Sequence, residues 1–184
     1  QEMRRLKDIL KAKRQRRGAI DFDLPEADIH LDGNGRAVGV SLHIRGEANM
    51  MIEEFMLSAN ETVAREGVDK GLPLMYRVHE APDPERIKEL NTFLHTLGYG
   101  VGNAEKVQPA DVRKMLLKAA GSSEERVINN VTLRAMTKAK YSPDCDGHFG
   151  LAAKYYCHFT SPIRRYPDLL VHSCLLYTSP SPRD

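Results

Sequence analysis

A chain of 184 residues, 41% apolar and 28% charged, has room for one domain with its own core and the composition of an ordinary globular protein. That composition excludes a low-complexity or fibrous chain, and no apolar run is long enough for a transmembrane helix. The net charge of +2 is unevenly placed: residues 1–17 carry eight Lys/Arg against Glu2 and Asp8, hence +6, which leaves −4 for the rest.

Residues 2–17 are predicted to form a helix with Met3, Leu6, Ile9 and Leu10 on one face and Arg/Lys on the other, stopping at Gly18. A basic helix beside a mildly acidic body suits contact with a polyanion, although a solvated helix face explains the charge as well. Ile20, Phe22 and Leu24 alternate with Asp21 and Asp23, the pattern of a half-buried strand. Further strands are expected from Ile29 and from Val38 to Ile44, joined by the turn Asp32-Gly33-Asn34-Gly35. A helix from about Glu47 to Arg65 should bury Ile52, Phe55, Met56, Ala59 and Val63 and end at Gly67.

Leu74–His79 reads as a short strand, and Asp83-Pro84 as the cap and first position of a helix through Ile87, Leu90, Leu94 and Leu97 to Gly98. A shorter helix follows Pro109 and ends at Gly121. Ser122-Ser123-Glu124-Glu125 offers a capping box for a helix reaching about Lys140. The expected class is α+β, with mixed helices and antiparallel strands and no internal boundary. Cys145, Cys157 and Cys174, an odd count without framework spacing, read as free thiols in a reducing compartment; with no signal-peptide pattern, the expected location is cytoplasmic.

The chemistry concentrates in the stretch from His158 to His172, HFTSPIRRYPDLLVH. Thr160 or Ser161 suits an N-cap and Pro162 the first helical position, with Pro167 separating that opening turn from a helix over Asp168–His172. Free amides at a helix start, two hydroxyls and the Arg164-Arg165 pair are the makings of a phosphate cradle. A basic helix start that merely faces solvent fits the same residues.

HFTSPIRRYPDL resembles the C-terminal signature of the catalytic domain of the ribonuclease II/ribonuclease R family, closest to its ribonuclease R branch. Tyr141-Ser142-Pro143, Gly147–Ala152, Gly18–Phe22, Ile52–Leu57 and Ala59-Asn60 extend the similarity over residues 1 to 173. The resemblance implies a processive 3′-to-5′ exoribonuclease that hydrolyses RNA to nucleoside 5′-monophosphates. Its divalent metal, Mg²⁺, is held by an aspartate run of the DxxxxxDxDD type, which does not occur in this sequence. The chain is therefore expected to be the C-terminal part of a catalytic domain, inactive alone, with no metal ligands of its own; the alternative is a non-catalytic RNA-binding module of the same family. Single-stranded RNA as partner, flanking OB-type RNA-binding domains and a monomeric enzyme are also implied.

By motif, Arg164 matches the family's catalytic arginine at the scissile phosphate, where a guanidinium can brace two phosphoryl oxygens. Phe22 matches an aromatic that stacks on the 3′-terminal base, with an ordinary core phenylalanine as the alternative. Glu54, with Glu53 as the second candidate, matches a glutamate on the terminal ribose, against a solvated helix glutamate. Ser161 and Tyr166 are expected at the RNA, and Arg165 serves the RNA backbone or an i,i+3 ion pair with Asp168. A rival zinc reading of Cys145, His148, Cys157 and His158 is disfavoured because adjacent residues of an extended chain point to opposite faces. Cys174–Asp184 reads as the translation of a transposase sequencing-library adapter, a non-native scar that should not continue the helix. A natural Pro/Ser-rich tail is the alternative.

Overall fold

The structure, a computed structural model, describes residues 1–22, 27–42 and 45–178. It is an α+β fold of six α-helices and two antiparallel strand pairs among the described residues. Helix α1 spans Glu2–Arg16 and ends where Gly18, at φ +93°, turns the chain against Ala110. A Cβ at Gly18 would lie 2.7–2.8 Å from Ala110, so the position needs glycine for both conformation and space.

The polarity of α1 departs from the expectation at two basic positions and most of the apolar face. Met3, Leu6 and Ile9 are exposed, while Lys7 and Arg14 are buried. The reason lies in α2, Glu47–Asp69. Its glutamates at 47, 54 and 61 recur every seven residues, a spacing that keeps one stripe of a helix facing a partner. They meet basic residues of α1 in ascending order, so the two helices run parallel. Lys7 Nζ lies 3.6 Å from Glu47, Arg14 2.7 Å from Glu54 and Arg17, just past the helix, 2.6 Å from Glu61; Arg4 also pairs with Glu47.

The hairpin forms as expected from β1, Ala27–Leu31, and β2, Ala37–Leu42, with Asp32 Oδ1 accepting from the amides of Asn34 (2.8 Å) and Arg36 (2.9 Å). Its residues Ile29, Leu31, Val38, Val40 and Leu42 are all exposed. Ile20 to Phe22, in contrast, form no strand: Ile20 is buried and donates its amide to Gly150 O at 2.8 Å, outside any ladder. Asp23, Leu24 and Ile44, assigned to strands from sequence, lie outside the described residues, as do positions 179–184.

Helix α2 runs past Gly67, the expected stop. A Cβ there would sit 2.2 Å from Leu74 Cδ1, so this glycine serves close packing, and the helix ends at Lys70. Ile52 is exposed, and Phe55, Met56, Ala59 and Val63 are only half-buried. Strand β3, Tyr76–Val78, pairs with β4, Lys140–Ser142. Helix α3, Pro84–Thr96, opens as expected on Asp83, whose Oδ1 accepts from Glu85 N at 2.8 Å. Helix α4 spans Pro109–Ala119.

The expected capping box at Ser122 does not form, because the Ser122 hydroxyl turns back to Ala119 O at 2.7 Å. Helix α5, Glu125–Ala135, stops short of Lys140, and Met136 turns into the core. Helix α6 spans Tyr166–Thr178, so residues 174–178 continue the helix, contrary to expectation. Leu176 and Tyr177 are exposed on it, while Cys174 and Leu175 pack partly against the core.

Two apolar cores result. The larger joins Ile20 to α3, α4 and α5 through Ile87, Leu94, Val112 and Ile128. The smaller gathers Ala64, Leu74, Tyr76, Val78, Cys157 and Val171, and all three cysteines are free thiols. It underlies the segment His158–His172.

Candidate functional site

The 156–168 segment is pinned from two sides. On one, the buried Asn60 of α2 donates through Nδ2 to Tyr156 OH (3.1 Å) and accepts from Phe159 N at Oδ1 (3.0 Å); its carbonyl accepts from Cys157 Sγ (3.5 Å). Burial, with the charge of Asp168 behind it, pushes the Cys157 thiol up to about 12. The Phe159 ring stacks on His172 at 4.1 Å, and His172 Nε2 donates to Phe159 O at 2.8 Å.

On the other side stands Asp168, fully buried in the first turn of α6. Its Oδ2 accepts from Ser161 N at 2.8 Å and from Arg165 Nη2 at 2.7 Å, the i,i+3 pair expected from the sequence. Ser161 O in turn accepts from Arg164 N (3.3 Å) and Arg165 N (3.1 Å). The residues after Ser161 are therefore a turn separate from the helix, as expected, but the helix starts at Tyr166 rather than after Pro167, which lies in its first turn. Three amides of the expected cradle are already used inside the turn. What the turn presents outward is side chains: Arg164, Ile163 and Tyr166 are exposed. The Arg164 guanidinium makes no hydrogen bond or ion pair among the described residues.

Arg165 faces the other way. With Ile52, Glu53, Met56, Asn60 and Tyr156 it lines a cleft of about 480 Å³ along α2. Across Glu53 that cleft adjoins a smaller pocket of about 160 Å³ holding Arg14, Asp21, Phe22, Arg45 and Glu54. The fold thus puts Phe22 and Glu54 in one pocket and Arg165 in the cleft that shares Glu53 with it, with Ser161, Arg164 and Tyr166 at the turn beside Arg165.

Glu54 is not a solvated helix residue. Only 4% of it is exposed, and its Oε1 takes Arg14 Nη2 at 2.7 Å and Nε at 3.2 Å. Arg14 also reaches Asp21 Oδ1 at 2.7 Å. Burial works against the Arg14 charge, but the bonds from Glu54 and Asp21 outweigh it and raise the pKa. Phe22 is half-buried, with its inner side against the larger core.

Sequence reasoning missed Arg14 and gave Asn60 no role. It also missed a row of rings: His79–His148 at 4.9 Å, His148–Tyr156 at 5.2 Å, Tyr156–His158 at 5.8 Å and Tyr141–His158 at 5.6 Å. Burial first, then His79 and Arg77, brings His148 down to about 3; burial and Arg165 bring His158 down to about 4. A larger cavity of about 730 Å³ beside His79, Asp146 and Lys154 contains no residue of the 158–172 segment. Among the described residues no three His, Cys, Asp or Glu side chains converge to hold a metal.

Comparison with known proteins adds the following. Residues 1–178 match the RNB domain family. The chain is 47% identical over 173 residues to ribonuclease R of Aquifex aeolicus, aligning 94% of this chain with 24% of that protein. It is 46% identical over 168 residues to ribonuclease R 1 of Lactococcus lactis, covering 91% of this chain and 21% of the relative. The structure of Mycoplasma genitalium RNase R in complex with ribose-methylated single-stranded RNA superposes with a TM-score of 0.91 at 30% identity, covering 98% of this chain and 28% of that one. Yeast Ssd1, described as a pseudonuclease, gives 0.64 at 25% identity over 77% of this chain and 18% of its own. The chain spans about a quarter of the length of the curated relatives it matches.

Proposed function

The chain belongs to the RNB domain family, and on that premise we propose that it is the RNA-engaging C-terminal part of a 3′-to-5′ exoribonuclease of the ribonuclease R type. The observation that carries the reading is the Ser161–Arg165 turn, which is bonded from within yet leaves the Arg164 guanidinium exposed and without a partner among the described residues. An exposed guanidinium on a bonded turn can brace phosphoryl oxygens as charge builds during displacement. Phe22 offers a ring face to a 3′-terminal base, and such stacking is worth about 1–3 kcal/mol per base. Among the described residues Glu54 Oε2 has a long 3.3 Å bond from Arg14 Nε, and Glu54 lines the Phe22 pocket, so this oxygen is assigned as the acceptor for a ribose 2′-hydroxyl. Ser161, Arg165 and Tyr166 line the backbone path.

The family's hydrolysis calls on a divalent cation, and Mg²⁺ is the ion we assign to the complete enzyme. The carboxylates described here do not converge on a metal, so no step of this reading runs through one. We propose that the ligands come from outside residues 1–184 and that this chain alone does not hydrolyse RNA. Residues 1–173 are taken as the native RNB portion and 174–184 as an adapter scar; Leu176 and Tyr177 are exposed as that division expects, whereas the family match runs to 178 and Cys174 and Leu175 pack partly against the core. Single-stranded RNA, flanking OB-type domains, a monomeric enzyme and a cytoplasmic location complete the reading.

The similarity to Ssd1 favours one second reading, a module that binds RNA without cutting it. In that case the complete protein binds single-stranded RNA and releases no nucleoside monophosphates.

The test uses a chimeric enzyme in which residues 1–173 replace the matching segment of the Aquifex aeolicus relative. Arg164→Lys should retain RNA affinity with metal withheld, and slow single-turnover cleavage by roughly 10²–10³-fold. Arg165→Lys, which keeps a cation for Asp168, should slow it by less than about tenfold. Equal losses in the two variants, or an affinity loss that accounts for the whole Arg164 defect, would overturn the assignment.

A further inference from the structure

We propose that Asp168 is a positioning residue: its buried carboxylate sets the turn that aims Arg164 at the scissile phosphate. The inference rests on the reading of Arg164 given above. Burying a carboxylate completely is costly unless charged or strongly polar donors surround it. A serine or asparagine could cap α6 without that cost. Here the charge does something a simple cap does not, because its two donors come from opposite ends of the turn. Ser161 N–H lies seven residues back at 2.8 Å, and the Arg165 guanidinium three residues back at 2.7 Å, both on the same oxygen.

Between these two anchors Pro162 has a fixed φ and no N–H, while Ser161 O accepts from the amides of Arg164 and Arg165. Upstream, Phe159 is held by Asn60 and by stacking on His172. The backbone on both sides of Arg164 is thus tied through Ser161, while the Arg164 side chain has no partner among the described residues. Among the described residues, Asp168 is the side chain that bonds both ends of the turn at once. It also draws Arg165 away from Arg164, so that the neighbouring cations point to different places. Catalytic groups tolerate little misplacement, and about 1 Å of drift can cost 10²-fold in rate.

Asp168→Asn keeps the volume and an oxygen for Ser161 N–H, but removes the charge that holds Arg165. In the chimeric enzyme it should slow single-turnover cleavage by roughly 10–10²-fold and leave RNA affinity with metal withheld within about twofold. The deciding measurement is a cycle with Arg164→Lys. If Asp168 acts through Arg164, the double variant is no slower than Arg164→Lys alone, within about threefold. Defects that multiply would show independent structural damage and overturn the inference, as would an Asp168→Asn rate equal to wild type while Arg164→Lys is slow. If Arg164→Lys itself cleaves at the wild-type rate, the reading of Arg164 fails first and this inference with it. Should Asp168→Asn not fold, Arg165→Gln loosens the same clamp from its exposed side, and the same cycle decides.

Discussion

Arg14→Met tests how the stripe between α1 and α2 works. The Arg14 side chain is 8% exposed and that of Glu54 5%, whereas Asp21 is 50% exposed. Methionine fills much of the space of the arginine stem, so little packing is lost. What remains is a Glu54 carboxylate in the interior with no cation, a situation that costs about 3–5 kcal/mol. The lost bond to Asp21 adds less than about 1 kcal/mol because that carboxylate is hydrated. Glu54→Gln alone leaves Arg14 an acceptor and its bond to Asp21, and should cost about 1–2 kcal/mol. The double variant has no stranded charge, so adding Glu54→Gln should restore about 2 kcal/mol to Arg14→Met. Urea unfolding followed by circular dichroism reads this directly. At a slope of about 2 kcal/mol per molar, Arg14→Met lowers the midpoint by about 1.5–2.5 M, and the second substitution recovers about 1 M. A midpoint shift under 0.5 M (~1 kcal/mol) for Arg14→Met, or a double variant no more stable than Arg14→Met alone, would refute the buried-pair reasoning.

Two further outcomes are expected. His148 and His158 are held neutral with pKa values near 3 and 4, while in the unfolded chain a histidine binds a proton near pH 6.5. Their contribution is present above pH 6.5 and is lost as pH falls towards 4 and then 3; His148→Gln should flatten the fall of the urea midpoint between pH 7 and 5, and an unchanged slope would contradict the burial of that ring. Ending the chain after Leu175 should change the thermal midpoint by no more than about 2 °C, because Leu176 and Tyr177 are 74% and 85% exposed; a drop above about 5 °C would show that the last turn of α6 packs in a native way.

The elements that sequence made legible are those whose signals are local. Asp32-Gly33-Asn34-Gly35 contains its own turn, and Asp83-Pro84 caps α3 with its own carboxylate. Failures came where a distant partner decides. The apolar stripe of α1 suggested a buried face, but α2 offers glutamates there, so the basic residues go inward. The seven-residue spacing of Glu47, Glu54 and Glu61 against Lys7 and Arg14 was a usable signal, visible only if both helices are read together. Gly67 looked like a helix stop because its reason, Leu74, arrives from the next segment. At the site, the Arg165–Asp168 pair was legible from spacing, whereas the capture of Ser161 N–H by the same carboxylate was not, and that bond moves the helix start to Tyr166. Asn60 is named within a recognisable motif, yet its role depends on partners almost a hundred residues away.

That separation has a kinetic consequence. The larger core is drawn almost entirely from residues 87–136, helices that meet their neighbours along the chain. The smaller one closes only when residues 64–78 find residues 157–171, and Asn60 must cross to Phe159. Contacts between near neighbours form quickly, while distant ones wait for loop closure. During synthesis the α3–α5 unit can therefore consolidate while the partners of Asn60 are still inside the ribosome. By that order the Arg164 turn is expected to take its shape late, and an intermediate with only the larger core formed would leave Asn60 without its partners and the turn unset.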